Sequence, residues 1–389
     1  QARFDFKSTP GLLSKDVRPT HYRLHFDVDP ASDAFSARAT IALKLERAAS
    51  GITLHADDLQ ATQVSLSAGT SNHAPRAMRV EKNPATQTWR LIPQDGQSIA
   101  PGRYALAVQY TGRVNKTDAG LYRAPYKDQG QPRAMLATQL EAVFARKLFP
   151  AFDEPAFRSV FEVSVKAPKD LDVYANMPER SAKDQGGQRL HTFWPTPSMP
   201  AYLVALTVGQ FDVVQGQSGR VPLRIFTAPG KQAQAAYAME VTQQVLPFYK
   251  SYFGIDYALP KLDQLAVPST RGGAMEDWGL ISYAETALLF DPSNSSVQRR
   301  RQVFSTVAHE IAHQWFGNLV TAASWEEIWL NEAFATWMAA KATDHFNPEW
   351  QVPLRRRQPI DWAMNKDASS ATRASVAWSS RSAVNTMSA

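Results

Sequence analysis

The hydrophobic pattern of this 389-residue chain changes its period near residue 212, and this change constrains the fold more than any other feature. From residue 20 to about 212, apolar and polar residues alternate, as they do in β-strands with one buried face. The clearest runs are Tyr22, Leu24, Phe26 and Val28; Tyr104, Leu106, Val108 and Tyr110; and Phe161, Val163 and Val165. Turn-forming Pro, Gly and Asp residues separate these runs. The sequence therefore predicts an N-terminal antiparallel β-domain over residues 1–212.

The remaining residues, 213–389, predict an α+β domain. One strand is expected over 221–226, and apolar residues at helical spacing predict helices over 232–252, 297–316 and 331–346. Asn331 is expected to cap the third helix and Pro348 to stop it. The segment from Lys366 to Ala389 is rich in Ser and Ala, so we expect this domain to be truncated or locally disordered at its end.

Composition excludes several classes of function. The chain has no cysteine, so a metal must be held by histidines and carboxylates. Its longest apolar run, 202–208, is far shorter than the roughly 20 residues of a membrane-spanning helix. The net charge is +6, but the basic runs 299–301 and 355–357 have no interleaved aromatic residues, so we expect solvated surfaces and no nucleic acid partner.

The segment from His309 to His313 is an H-E-x-x-H motif that predicts a metal site. Residues four apart lie on one face of a helix, so both imidazoles can reach one Zn²⁺. Glu310 would then lie beside the metal, where a general base for a zinc-bound water is needed. Eighteen residues separate His313 from Glu332, the expected third ligand. A His₂Glu set leaves one position open, as a catalytic zinc requires.

The residues around this motif carry a family resemblance. His309 to Val320, followed by the segment from Trp329 to Ala335, resembles the signature of the gluzincin zinc aminopeptidases related to alanyl aminopeptidase and leukotriene A4 hydrolase. The resemblance implies one zinc per chain, held by His309, His313 and Glu332, with Glu310 as the base. It further implies a β saddle or sandwich domain followed by a thermolysin-like catalytic domain.

Two further segments resemble parts of the same family that bind the substrate. The run from Arg271 to Leu280 is similar to the G-x-M-E-N exopeptidase motif, and the run from Thr138 to Pro155 is similar to a loop that lines the first substrate pocket. The implied substrate-binding residues are Gln139, Glu141, Gly273, Ala274, Met275 and Glu276, and Glu276 is also assigned a catalytic role. Glu276 and Glu141 would hold the α-amine, and 280–283 would offer a strand edge to the peptide.

This chain departs from the family in several places. Asp277 stands where the family usually has Asn, which leaves its role open. The last tyrosine is Tyr283, so neither the family's downstream catalytic tyrosine nor its C-terminal helical domain is present, and we expect slow turnover. The expected function is zinc-dependent hydrolysis of the N-terminal peptide bond of peptides with a free amino terminus.

Two alternatives remain from the sequence. One is an endopeptidase or epoxide hydrolase on the same zinc site, and the other is a non-enzymatic interaction module. The paired carboxylates argue against the first, and the intact ligands and base argue against the second. The sequence does not determine the oligomeric state, and it favours a periplasmic or extracytoplasmic location only slightly over a cytoplasmic one.

Overall fold

A computed structural model describes residues 4–69, 74–270, 273–355 and 357–368. The expectation about the chain end beyond residue 368 lies outside these residues, as do Arg271, Gly272 and Arg356. In the described part of the chain, no helix is both long and apolar enough to cross a membrane. The predicted order, a β-rich part followed by a part with helices and strands, is confirmed.

The first part contains two sheets and little helix. Its strands are β1 (Val17–Asp27), β2 (Ala34–Leu45), β3 (Ile52–His55), β4 (Gln60–Ala68), β5 (Arg76–Asn83), β6 (Thr88–Pro93), β7 (Gly102–Arg113), β8 (Gly120–Asp128), β9 (Gln131–Gln139), β10 (Val160–Pro168), β11 (Asp172–Ala175), β12 (Glu179–Gln185), β13 (Gln188–Phe193) and β14 (Leu206–Gly209). A short helix, α1 (Ala145–Leu148), and two 3-10 turns (Phe6–Ser8 and Ala201–Leu203) complete it.

The larger sheet has ten strands in the order β12-β13-β10-β1-β2-β7-β4-β5-β6-β3. Its neighbours are antiparallel except for β1 and β10, which run parallel. The smaller sheet has the order β11-β14-β9-β8. The alternation read from the sequence is confirmed here, because Tyr22, Leu24 and Phe26 all lie in the core of this part. Tyr104 is only partly buried.

The second part combines one sheet with packed helices. Its strands are β15 (Asp212–Ser218), β16 (Val221–Thr227), β17 (Leu262–Val267), β18 (Ala274–Met275) and β19 (Leu280–Ala284). Its helices are α2 (Ala236–Phe253), α3 (Glu285–Leu288), α4 (Val297–His313), α5 (Trp329–Phe346), α6 (Val352–Arg355) and α7 (Arg357–Asp367), with 3-10 turns at Gln232–Ala235, Trp325–Glu327 and Pro348–Trp350. A boundary between two domains near residue 212 remains a prediction.

Two local predictions in this part are wrong. The expected strand edge at 280–283 is not an edge, because the sheet order is β15-β16-β17-β19-β18 and β19 is paired on both sides. The two-residue strand β18 lies at the edge instead. Asn331 does not cap α5, because the helix begins two residues earlier at Trp329 and Asn331 is buried in its first turn. The preceding 3-10 turn leads directly into the helix, and no side chain caps it.

Candidate metal centre

Helix α4 presents two histidines to the same point in space. Ser296 caps its first turn by accepting a hydrogen bond from the backbone N–H of Arg299 at 3.2 Å. At its other end, the Nε2 atoms of His309 and His313 lie 2.9 Å apart. Two ring nitrogens that face each other so closely need a shared proton or cation between them. This placement follows from the one-turn spacing of the two residues.

Helix α5 contributes the third donor. The Glu332 carboxylate places Oε2 3.3 Å from His309 Nε2 and Oε1 3.5 Å from His313 Nε2. Tetrahedral zinc with bonds of about 2.0–2.1 Å requires donors about 3.3 Å apart. The observed separations of 2.9, 3.3 and 3.5 Å bracket this value. The three residues present therefore fit a zinc ion in both donor chemistry and spacing.

The orientation of His313 is fixed by the loop that follows α4. Its Nδ1 lies 2.9 Å from the carbonyl oxygen of Phe316, so Nδ1 carries the proton and Nε2 keeps its lone pair for a metal. Gly317 leaves room for this arrangement, because its φ is +129° and a Cβ there would lie 3.0 Å from His313 Nδ1. Burial lowers the pKa of His313, which keeps the imidazole in the neutral form that binds metals.

Glu310 lies next to this set and is buried. One of its carboxylate oxygens is within 4.8 Å of donor atoms of His313 and Glu276. Burial and then the negative charges of Glu276 and Glu332 raise the pKa of Glu310 well above its usual range. A bound cation would act in the opposite direction and favour the ionised form.

A second group of carboxylates extends from the metal centre. Glu141 follows β9, Glu276 follows β18, and oxygens of Glu141, Glu276 and Glu332 all lie within 4.8 Å of one another. Burial and the charge of Glu332 raise the pKa of Glu276 to about 8, and burial and the charge of Glu276 raise that of Glu141 as well. Glu276 Oε1 has no hydrogen-bond partner among the described residues. Among the described residues, Glu141 and Glu276 therefore have no lysine or arginine partner, whereas Glu332 lies against His309 and His313.

The other expected substrate-binding residues lie beside these carboxylates. Gln139, Gly273, Ala274 and Met275 line a small cavity of about 50 Å³, and Asp118 and Tyr122 are also part of its wall. Gly273 is exposed and has a φ of +87°, a conformation that favours glycine. The structure thus brings together the residues of both segments that were singled out from the sequence.

Asp277 is buried beside Glu276 and belongs to the same acidic region. Its Oδ2 accepts a hydrogen bond from Ser282 Oγ at 3.2 Å, and Oδ1 has no partner in the part of the chain that is described. Burial and the charge of Glu276 raise the pKa of Asp277 well above its usual range. Its surroundings therefore favour the neutral form of this side chain.

Several residues that hold the site in place were not predicted from the sequence. Asn176 donates to the carbonyl of Trp278 at 3.0 Å, and Lys261 Nζ donates to the carbonyl of Gly279 at 2.7 Å. Asn318 and Gln314 donate to the carbonyl of Glu276. These contacts join residues far apart in the chain. A buried polar residue inside an apolar run is the one signal the sequence offers for them.

Comparisons with known proteins assign the family. Residues 18–203 match the model of the peptidase M1 N-terminal domain, and residues 237–387 match the peptidase family M1 domain. Aminopeptidase N of Acetobacter pasteurianus is 36% identical over 338 residues, which cover 86% of this chain and 93% of that protein. The chain therefore belongs to peptidase family M1.

Other relatives are much longer than this chain. Aminopeptidase M1 of Arabidopsis thaliana is 36% identical over 89% of this chain, and the match covers 40% of that protein. A probable aminopeptidase 2 of Sulfurisphaera tokodaii is 44% identical over 65% of this chain and 32% of its own length. The chain thus spans about two fifths of the Arabidopsis relative.

Proposed function

We propose that this chain carries the zinc centre of an aminopeptidase that hydrolyses the first peptide bond of peptides with a free amino terminus. The observation that carries the proposal is the juxtaposition of a His₂Glu donor set with buried carboxylates that no lysine or arginine of the described chain neutralises. The family and the names of its relatives support the same reaction class.

The His₂Glu set supplies the first half of the chemistry. Zinc held by His309, His313 and Glu332 would polarise the scissile carbonyl and lower the pKa of a water molecule toward about 7. Glu310 accepts the proton of the attacking water and then gives a proton to the departing amine. Its buried position beside His313 suits proton acceptance, because a raised pKa makes the carboxylate a stronger base, and the carboxylic acid so formed is the proton donor to the departing amine.

The second group of carboxylates determines which peptide bond is cleaved. An α-ammonium would provide the positive charge that Glu141 and Glu276 lack, and the three charges together would lower the cost of their burial. The edge strand β18 lies directly before Glu276 and can pair with the main chain of a bound peptide. A peptide held at its amine presents its first peptide bond to the metal centre.

Metal content tests the donor set. We expect one zinc per chain after dialysis against a weak chelator, and a large loss of zinc in His313→Ala because one of three ligands is gone. Asn294→Ala, in an exposed loop before α4, is the matched control and should keep its zinc. Unchanged zinc in His313→Ala would contradict the ligand assignment.

Matched peptides with free and acetylated amino termini test whether the carboxylates recognise the terminal amine. The zinc-loaded chain should hydrolyse a free-amine peptide much faster than the same peptide with an acetylated amino terminus, because acetylation removes the charge that the carboxylates bind. Equal rates on both peptides would favour an endopeptidase. Absence of both hydrolysis and binding in a zinc-loaded chain would favour an interaction module.

A further inference from the structure

The backbone carbonyl of Glu276 is held by two side-chain amides. Asn318 Nδ2 donates to this oxygen at 2.8 Å, and Gln314 Nε2 donates to it at 3.1 Å. Both amide side chains are buried. The main chain of Glu276 is thus fixed from the direction of α4, whereas its carboxylate atom Oε1 has no hydrogen-bond partner among the described residues.

Both amides belong to the segment that leaves the metal-binding helix. Gln314 is the first residue after α4, and its Nε2 also lies 3.3 Å from the carbonyl of Glu310. The backbone N–H of Asn318 donates to the carbonyl of His313 at 3.1 Å. The two donors are therefore tied to the same helical turn that carries the metal ligand and the base.

The segment is also held from the first part of the molecule. Arg158 Nη2 donates to the carbonyl of Asn318 at 3.1 Å, and the Arg158 guanidinium also contacts Thr321. Tyr202 Oη lies 3.5 Å from the carbonyl of Gly317. The loop from Gln314 to Thr321 is thus fixed at both ends, so its amides can act as rigid supports.

The position of Asn318 is energetically unfavourable for one of its side-chain atoms. Its Oδ1 is buried and has no hydrogen-bond partner among the residues described, and such an atom destabilises a fold. A residue that served only packing would not need an amide there. The Nδ2 contact to Glu276 is the interaction that an apolar side chain of the same size could not make.

We propose that Asn318 and Gln314 are positioning residues that fix the distance between the amine-binding carboxylate of Glu276 and the metal centre. The position of Glu276, and with it the peptide bond that reaches the metal centre, is then determined by the metal-binding helix as well as by the strand β18. This inference rests on the proposed function, because it assumes that Glu276 binds the substrate amine.

Binding measurements test the proposal without requiring turnover. The ligands are alanine amide and N-acetylalanine amide. Calorimetry on the zinc-loaded chain gives the ratio of the two, defined as the Kd of N-acetylalanine amide divided by the Kd of alanine amide. We expect Asn318→Ala to keep its zinc and to lower this ratio about tenfold, the effect of one hydrogen bond near a charged site. Gln314→Ala is measured in the same way. If Asn318→Ala does not fold, as judged by the loss of a cooperative unfolding transition, Gln314→Ala still tests the proposal.

A double-mutant cycle separates positioning from general loosening. In a Glu276→Ala background, Asn318→Ala should change the ratio no further, because the group that it positions is absent. Gln264→Leu is the matched control: Gln264 is a buried amide in β17 that bonds Thr242 at 2.8 Å, and its loss should leave the ratio unchanged.

Four results would contradict the inference. An unchanged ratio in both amide variants, an equal further drop in the Glu276→Ala background, or an equal drop in Gln264→Leu would show that the amides only stabilise the fold. A wild-type ratio near one would show that the proposed function is wrong, and the inference would fall with it.

Discussion

Two groups of buried carboxylates differ in what surrounds them. In the first group, Asp153 Oδ2 accepts from Arg146 Nε at 2.8 Å, and Glu154 Oε1 accepts the backbone N–H groups of Leu12 and Leu13 at 2.7 and 2.8 Å. Lys15 lies 2.5 Å from Glu154 Oε2. In the second group, Glu141, Glu276 and Glu310 have no such cation within the described chain.

The difference indicates what each group does. A buried charge costs several kcal/mol unless a partner compensates it, so a buried carboxylate without a cation needs a different explanation from one that is paired. The paired group ties the N-terminal segment to the first sheet. We propose that the unpaired group instead binds positive charge from outside the chain, and four experiments test this contrast.

The largest effect is expected for the base. Glu310→Gln should keep zinc but lower hydrolysis by about 10²–10⁴-fold, because the amide cannot accept a proton. The stability of the metal-free protein should change little, since the raised pKa of Glu310 already favours its neutral form there. Rates with a free-amine peptide and zinc content, measured on the same preparation, check both parts. A variant as active as the wild type would place the base elsewhere.

The paired group should respond in the opposite way. Asp153→Asn leaves Arg146 buried without its counter-charge and should lower the free energy of unfolding by about 3–5 kcal/mol. Asp33→Asn is the matched control, because Asp33 pairs with Arg123 at the surface, where solvent screens the charges, so its loss should have little effect on stability. Denaturant unfolding compares these variants with Glu276→Gln. A similar cost for Asp153→Asn and Glu276→Gln would remove the contrast.

A somewhat smaller effect is expected at the amine-binding position. Glu276→Ala should cost free-amine peptides about 2–5 kcal/mol of transition-state stabilisation, the range for losing one partner of a buried charge pair. N-acetylated peptides carry no charge to lose and should be little affected. Values of kcat/KM for the matched peptides give the answer. Equal damage to both peptides would mean that the segment from Gly273 to Glu276 is only a structural turn.

The smallest effect concerns pH. The pKa of Glu276 is raised from 4.5 to about 8 in the metal-free fold, so the folded state holds a proton that the unfolded chain releases. Its contribution to stability is therefore complete below pH 4.5 and is lost as the pH rises through about 8. The Tm of the metal-free protein should fall between pH 5.5 and 8, and Glu276→Gln should reduce that fall. An unchanged slope in the variant would show that Glu276 does not carry this dependence.

Much of the fold could be predicted from sequence, because long amphipathic strands and helices have regular periods. The strand β17 could not, since its six residues are all buried and include Asp263 and Gln264. Asp263 is paired with Arg224 at 2.7 Å and Lys261 at 2.7 Å, so its charge is compensated by residues outside the strand. Periodicity carries no information about such partners.

The meeting of His309, His313 and Glu332 could be predicted, because the two histidines are one helical turn apart and Glu332 lies in a recognisable motif. The roles of Asn318 and Gln314 could not. Their partner, the Glu276 carbonyl, lies 42 residues from Asn318 and 38 residues from Gln314 in the chain. A backbone carbonyl has the same chemistry at every position, so no residue type marks it as a partner.

The three metal donors also differ in their access to solvent. The His313 side chain is 1% exposed, that of His309 is 21% exposed, and that of Glu332 is 45% exposed. We expect an ion arriving from solvent to meet the exposed carboxylate first and the deepest imidazole last. The rates of metal uptake and release should therefore respond most strongly to changes at the accessible carboxylate of Glu332.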